Sequence, residues 1–107
     1  MSDHTFTIFI AGGTDLAARA LANFERLIRP RIASTCTLTV VDVLKEPRKA
    51  RDHRVVATPM LVREHPVPVI KILGDLSKGD AILLQLGLND RDGDQPPRNP
   101  APAKEQS

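Results

Sequence analysis

The side chains that could carry chemistry in this chain are few and lie far apart in the sequence. Cys36 is the only cysteine among 107 residues, so an internal disulfide is excluded, and a thiol enzyme would have to rely on this one side chain. A lone cysteine just before a predicted strand is more often a small packed residue than a reactive thiol. His4, His53 and His65 have no companion cysteine at metal-ligand spacing. We therefore expect no metal site and no cofactor.

The glycine pair at the end of the first predicted strand has the position of a functional loop but lacks the residues of one. Gly12-Gly13-Thr14-Asp15 does not contain the lysine and the Ser/Thr of a phosphate-binding loop. A nucleophilic cysteine at such a place would have its pKa lowered by the helix that follows, and no cysteine occurs here. The segment predicts a turn, with Thr14 or Asp15 capping the next helix. Its composition favours a binding module over an enzyme.

A basic cluster marks the second predicted helix, with Lys45, Arg48, Lys49, Arg51 and Arg54. Such a run is most simply a solvated face, and the alternative is contact with an acidic partner surface or a nucleic acid. The net charge of +2 is small, and no aromatic residue occurs beyond Phe24. Proteins that bind single strands usually add aromatic platforms to their basic groups. We therefore do not expect a nucleic acid as partner.

Hydrophobic periodicity predicts seven elements in the order β-α-β-α-β-β-α. The strands are expected at residues 5–11, 37–43, 59–65 and 67–73. The helices are expected at about residues 15–29, 47–56 and 77–86, with Pro30 ending the first. Ser77 with Asp80 resembles a capping box for the last helix, and Gly87 is placed to stop it. The fold class is α/β, a four-stranded mixed sheet flanked by helices, with the first strand central.

One domain is expected over residues 1–88, followed by a disordered Pro-rich tail at 89–107. The tail contains four prolines and two apolar residues, which is too little to support a packed core. The N-terminus lacks the basic and apolar regions of a signal peptide, and no apolar run approaches membrane-spanning length. A cytoplasmic protein without membrane contact is the expectation.

Thr58-Pro59 stands directly before the apolar run Met60-Leu61-Val62. Thioredoxin-like folds place a proline here, at the start of their third strand and usually after a cis peptide bond. Cis bonds are essentially confined to X-Pro, so Pro59 is our cis-proline candidate. Together with the element order, this resembles a thioredoxin-like scaffold without its Cys-x-x-Cys motif.

Five stretches between Phe6 and Leu88 resemble the KaiB family of circadian clock proteins. They are Ile10-Ala11-Gly12-Gly13-Thr14, Arg19-Ala20-Leu21, Val41-Asp42-Val43-Leu44-Lys45-Glu46-Pro47, Ala57-Thr58-Pro59-Met60-Leu61 and Pro68-Val69-Ile70-Lys71-Ile72-Leu73-Gly74-Asp75-Leu76-Ser77. The resemblance implies a non-enzymatic regulator that binds the N-terminal ring of KaiC, a hexameric ATPase. By position it implies partner contacts at Arg19, Thr37, Thr39, Lys45 and Lys71, although the family often has lysine where Thr39 stands.

The resemblance also implies further partners and a second conformation. KaiB-type proteins displace the thioredoxin-like sensor domain of a histidine kinase, and in cyanobacteria they help to sequester KaiA, which is the doubtful partner here. Some members rebuild their C-terminal half into an alternative fold and assemble as tetramers, so a dimer or tetramer is one expectation. The switching region would include Gln85 and Gly87. Gln85 replaces a family glycine, which favours the helix.

Two other functions stay open at the level of sequence. One is a thioredoxin-like thiol protein using Cys36. The other is a stand-alone sensor-type domain for a histidine kinase. Whether a KaiB-like regulator would serve a clock, a timer or a stress response is also open.

Overall fold

The structure, a computed structural model, describes residues 3–88 as an α/β domain, so the tail expected at 89–107 lies outside the described residues. Its strands are β1 (His4–Ile10), β2 (Cys36–Asp42), β3 (Met60–His65) and β4 (Ile70–Leu73). Its α-helices are α1 (Asp15–Asn23), α2 (Pro47–Asp52) and α3 (Gly79–Gln85). The predicted element order is confirmed.

The four strands form one mixed sheet in the order β2-β1-β3-β4. β1 and β2 are parallel, whereas β3 runs antiparallel to both β1 and β4. β1 is thus central, as its apolar residues on both faces predicted. The parallel pair is joined through α1, which is the crossover that parallel strands require.

The two faces of the sheet bury separate apolar clusters. On the face covered by α1 and α3, Phe6 and Phe24 are fully buried, and their rings meet edge to face at 5.1 Å between centroids. On the other face, Phe9 packs with Val41, Met60 and Val62. α2 lies on this second face and buries none of its own six residues. The second face is therefore covered less completely than the first.

The first helix begins as predicted but ends differently. Thr14 Oγ1 accepts a hydrogen bond from the Ala17 N–H at 3.1 Å, which makes Thr14 the N-cap. Beyond Asn23 the chain continues as a π-helical turn (Phe24–Ile28) and then a 3₁₀ turn (Arg29–Arg31). Pro30 lies within the 3₁₀ turn, because a proline near the start of a helical turn sacrifices no hydrogen bond. Helical structure therefore ends at Arg31, two residues beyond the end predicted near residue 29, and its last turns are π and 3₁₀ rather than α.

The predicted capping box of the last helix was wrong. α3 begins at Gly79, with Lys78 at the N-cap and no side-chain cap. The Ser77 N–H donates instead to Asp75 Oδ1 at 3.1 Å. This local turn competes with a helix cap for the same backbone group. Ser77 therefore belongs to the loop before α3.

The end of α2 also differs from expectation, because the helix stops at Asp52 rather than near residue 56. Arg54 adopts a left-handed φ of 54°. Its N–H bonds the Arg51 carbonyl at 3.1 Å, and the Val55 N–H bonds the Ala50 carbonyl at 2.9 Å. This pair of bonds is a Schellman ending, in which a left-handed residue terminates a helix. The sequence did not predict this helix end, because the left-handed residue that terminates a helix is usually a glycine and here it is Arg54.

The glycine that follows α3 ends the helix as predicted. Gly87 has a φ of +73°, its N–H donates to the Leu84 carbonyl at 3.1 Å, and the Leu88 N–H donates to the Leu83 carbonyl at 2.7 Å. Glycine is the residue that takes this left-handed conformation without steric penalty.

Replacing Gly87 by alanine is expected to lower the free energy of unfolding by about 1 kcal/mol, because a β-carbon is disfavoured in the left-handed region. Apart from its own helix backbone and chain neighbours, no atom of the described residues lies within 4 Å of the added carbon, so the cost is conformational. Gly13→Ala is the matched control, since that position is equally open but outside the left-handed region. Urea denaturation of both variants checks this, and equal stabilities would contradict it.

Candidate functional site

The turn at residues 12–15 and the Thr58-Pro59 segment line one shallow cavity. Its walls come from Ile10, Ala11, Thr14, Leu16, Ala17, Thr58 and Pro59. The Thr58-Pro59 peptide bond is cis, as are the bonds before Pro66 and Pro68. Asp42 supports the turn, because its Oδ1 accepts from the N–H groups of Gly12 and Leu44. The cavity lining contains no thiol, carboxylate or histidine.

Cys36 lies at the opposite end of the sheet from this cavity. It is the first residue of β2 and pairs in register with His4 at the start of β1, whereas the 12–15 turn follows the end of β1. Burial raises the pKa of the Cys36 thiol, and the nearby Arg29 guanidinium offsets this only in part. Reactive cysteines have a lowered pKa, since the thiolate is the nucleophile. The surroundings of Cys36 are those of an inert thiol.

Three of the residues implied as partner contacts share one face of the sheet. Thr37 and Thr39 are exposed on β2, two residues apart and thus on the same side. Thr39 pairs with Thr7, Thr7 with Val62, and Val62 with Lys71, so one row crosses all four strands. With strands about 4.8 Å apart, Thr39 and Lys71 stand roughly 14 Å from each other along this row.

This row belongs to the face that α2 covers incompletely. α2 lies on the apolar half formed around Phe9, Val41, Met60 and Val62. The other half presents paired threonines, Thr5 beside Thr37 and Thr7 beside Thr39. We call this half, together with Lys71 at the far strand, the threonine face. Its threonines are exposed on β2 and half-buried on β1, and the fully buried Val62 separates them from Lys71.

A polar network joins the threonine face to the end of α2. Thr7 Oγ1 donates to Glu64 Oε2 at 3.2 Å, and His53 Nε2 lies 3.2 Å from the same oxygen. Lys71 Nζ donates to the His53 carbonyl at 2.7 Å. Sequence reasoning missed His53 and Glu64, which are eleven positions apart and belong to different elements. The strand period of β3, which places Glu64 on the side of Val62, was the one available signal.

Arg19 is not part of the threonine face. It projects from α1, on the opposite side of the sheet, and its Nε lies 3.4 Å from Asp75 Oδ2. The pKa of Asp75 is lowered mainly by hydrogen bonds from Ser77, with Arg19 adding less. Asn23 Nδ2 also donates to the Asp75 carbonyl at 2.8 Å. Arg19 thus links α1 to the loop that leads into α3.

Lys45 lies in the loop between β2 and α2. Its N–H donates to the Asp42 carbonyl at 3.0 Å, and its side chain is exposed. The neighbouring Lys49 is engaged with Glu46 at 2.9 Å, so part of the basic cluster of α2 is internally paired. The structure therefore brings Thr37, Thr39 and Lys71 to one face, places Lys45 at the end of β2 and puts Arg19 on the other side.

The two positions of the expected switching region lie at the end of α3. Gln85 is the last residue of that helix, and Gly87 follows as its left-handed terminator. Within residues 3–88, no group of three or more His, Cys, Asp or Glu side chains could hold a metal ion. Nor is any helix of this described part both long and apolar enough to cross a membrane.

Solved structures define the class of the fold. The N-terminal domain of SasA from Synechococcus elongatus superposes with a TM-score of 0.69 at 19% identity, covering 83% of this chain and 84% of that one. Mitochondrial thioredoxin 3 of Saccharomyces cerevisiae gives a TM-score of 0.60 at 22% identity, covering 84% and 80%. The protein is thioredoxin-like in fold and lacks Cys-x-x-Cys at residues 12–15.

Sequence relatives narrow this class to one family. The KaiB domain family model matches residues 7–88. The circadian clock oscillator protein KaiB of Microcystis aeruginosa is 35% identical over 85 residues, 79% of this chain and 82% of the relative. KaiB of Synechococcus elongatus is 36% identical over 81 residues, 76% and 79% of the two chains. The chain belongs to the KaiB family, so the predicted resemblance is confirmed.

Proposed function

We propose that this protein is a non-enzymatic, KaiB-like regulator that binds a KaiC-type hexameric ATPase. Binding would modulate the phosphorylation and ATPase cycle of that partner in a clock, a timer or a stress response. The observation that carries this proposal is the threonine face, which is polar and partly exposed among the described residues, in a chain 35% identical to curated KaiB clock proteins. A face that is polar and half-exposed suits a partner that is bound and released.

Of the five residues proposed as partner contacts, four lie on or near one surface, which we call the main surface, and Arg19 lies away from it. Thr37, Thr39 and Lys71 lie on the threonine face, and Lys45 follows β2 in the loop that leads to the basic helix. Arg19 faces away and is paired with Asp75, so a flat partner on the threonine face would not reach it. We propose that the main surface makes the direct contacts and that Arg19 acts by fixing the loop before α3.

The alternative of a thiol enzyme is disfavoured by the raised pKa of the Cys36 thiol and by the distance of Cys36 from the cis-proline cavity. A stand-alone sensor-type domain is a second candidate, because the fold superposes on the SasA N-terminal domain. That likeness concerns fold alone, since only 19% of residues are identical.

Calorimetric titration against a purified KaiC-type ring tests the proposal. We expect saturable binding that survives alkylation of Cys36 and changes the ring's rate of ATP hydrolysis. A thiol enzyme would instead lose its activity on alkylation. A sensor-type domain would bind a histidine kinase and leave the ring unaffected.

A further inference from the structure

The positive charge of this chain is concentrated on the short helix α2 and its two ends. Residues 45–54 contain five Lys or Arg residues against two Asp or Glu, whereas the whole chain has a net charge of only +2. Lys45, Arg48 and Arg51 are exposed, and none of these side chains forms an ion pair or a hydrogen bond with another residue of the described part of the chain. The three cations recur at every third position, and we call them the basic ridge.

The basic ridge forms one surface that is fixed to the sheet. Arg48 and Arg51 are three residues apart on α2, so their side chains are neighbours on the helix. Lys45, in the loop before the helix, lines the same shallow depression as these two arginines. The helix is held from both sides, because Val43 before it and Val55 after it pack against the apolar cluster of the second face. The exposed side of α2 therefore presents the ridge from a defined position.

These charges oppose the local stability of α2. Like charges three or four positions apart on a helix repel each other. The N-terminus of a helix favours acidic side chains, yet the first turn of α2 contains no acidic residue and does contain Arg48. Of the two carboxylates that line the depression, Glu46 is engaged with Lys49 at 2.9 Å, which leaves Asp52 against the three cations of the ridge. Charge complementarity therefore favours an acidic partner surface, because carboxylates beside the ridge would relieve this repulsion.

An exposed apolar side chain precedes the basic ridge. Leu44 is 71% exposed and directly adjacent to Lys45 in the chain. Its backbone is held in place, because its N–H donates to Asp42 Oδ1 at 3.0 Å, the oxygen that also accepts from the Gly12 N–H. An apolar anchor next to charged groups is typical of protein–protein interfaces. Single-stranded nucleic acids instead favour aromatic platforms, and this chain has no aromatic residue beyond Phe24. The composition of this surface therefore favours a protein as the partner.

We propose that the basic ridge and Leu44 together dock an acidic segment of the KaiC-type ring, with Leu44 packed against an apolar side chain of that segment. This inference rests on the proposed function and names the chemistry of the partner at this place, which is a set of carboxylates around one apolar side chain. The ridge attracts the partner over a distance and makes its binding sensitive to salt. Leu44 contributes by losing its contact with water, and salt does not screen that contribution.

Calorimetric titrations of the full chain against the purified ring, at about 50 mM and about 500 mM salt, test this inference. At the lower salt, Arg48→Gln and Arg51→Gln should each weaken the affinity by at least about fivefold. At the higher salt the affinities of both variants should approach that of wild type, because exposed charges are then largely screened. Leu44→Ala should weaken the affinity by at least about fivefold at both salt concentrations.

Lys78→Gln and Leu84→Ala are the matched controls, since both residues are exposed and belong to α3 or its N-cap. Each should bind within about twofold of wild type at either salt concentration. If wild type binds the ring and the variants at Arg48, Arg51 and Leu44 bind it equally well, the docking surface is wrong and the proposed function stands.

Two further outcomes would also overturn this inference. If wild type does not bind the ring at either salt concentration, the proposed function and the docking surface both fail. If Arg51→Gln abolishes binding of a DNA duplex, or self-association of this chain, and leaves ring binding unchanged, the basic ridge serves a nucleic acid or a second copy instead.

Discussion

Replacing Arg63 by alanine is expected to lower the free energy of unfolding by about 2–4 kcal/mol, because buried hydrogen bonds to a charged group are among the costlier ones to remove. Arg63 is only 6% exposed. Its Nη1 donates to the Leu86 carbonyl at 2.7 Å and its Nη2 to the Pro68 carbonyl at 3.3 Å. Leu86 is the C-cap of α3, so this side chain ties the helix end to the proline joint between β3 and β4.

Removing the Arg63 guanidinium from water costs free energy, which opposes the gain from its hydrogen bonds. Burial lowers the pKa of its guanidinium, and Nε has no hydrogen-bond partner within residues 3–88. Replacing a buried charge by an apolar side chain of similar shape can be neutral, so Arg63→Met should lose less than Arg63→Ala. Urea denaturation gives the free energies, and hydrogen exchange should show α3 opening first. Arg48→Ala on the exposed face of α2 should change stability by less than about 0.5 kcal/mol. An Arg63→Ala variant as stable as that control would contradict this account.

Reversing the charge of Lys45 is expected to weaken binding to a KaiC-type ring by at least about tenfold, or 1.4 kcal/mol. Lys45 is an exposed cation in the loop that joins β2, the strand of Thr37 and Thr39, to the basic helix. A glutamate there would place like charges together if the partner surface is acidic. Calorimetry of Lys45→Glu against the ring measures the loss.

Lys78→Glu is the matched control for this experiment. It makes the same change of charge at another exposed lysine, which lies next to α3 and outside the threonine face. Its affinity should stay within about twofold of wild type, since charges more than a Debye length away are largely screened. Equal losses in the two variants would indicate a nonspecific effect of net charge. Unchanged affinity in both would place the interface elsewhere.

The sequence predicted those parts of the fold that depend on local chemistry. The alternation of β1 indicated a strand apolar on both faces, Thr14 had the side chain of an N-cap, and Gly87 had the freedom needed to end α3. Each of these follows from a residue and its near neighbours. The KaiB motifs, read together, identified the family.

The features missed by sequence reasoning depend on contacts between distant elements. Ser77 has the side chain of a helix cap, but its N–H donates to the Asp75 side chain in the loop before α3. Arg63 follows three apolar strand residues and has the strand period of a core position, yet the Leu86 carbonyl that stabilises it lies 23 positions away. His53 and Glu64 meet only because α2 folds over β3. For the same reason, the separation of Arg19 from the other proposed contact residues could not be read from the sequence.

Hydrogen exchange of the protein with and without a saturating KaiC-type ring tests the central claim most directly, because it reports where on this fold a partner sits. We predict that binding slows exchange in β2 and in residues 43–46 that follow it, with a smaller effect in β4. The outer faces of α1 and α3 should exchange as in the free protein. Protection confined to α1 and α3, or no protection at a saturating concentration of the ring, would contradict the claim that the threonine face binds the ATPase.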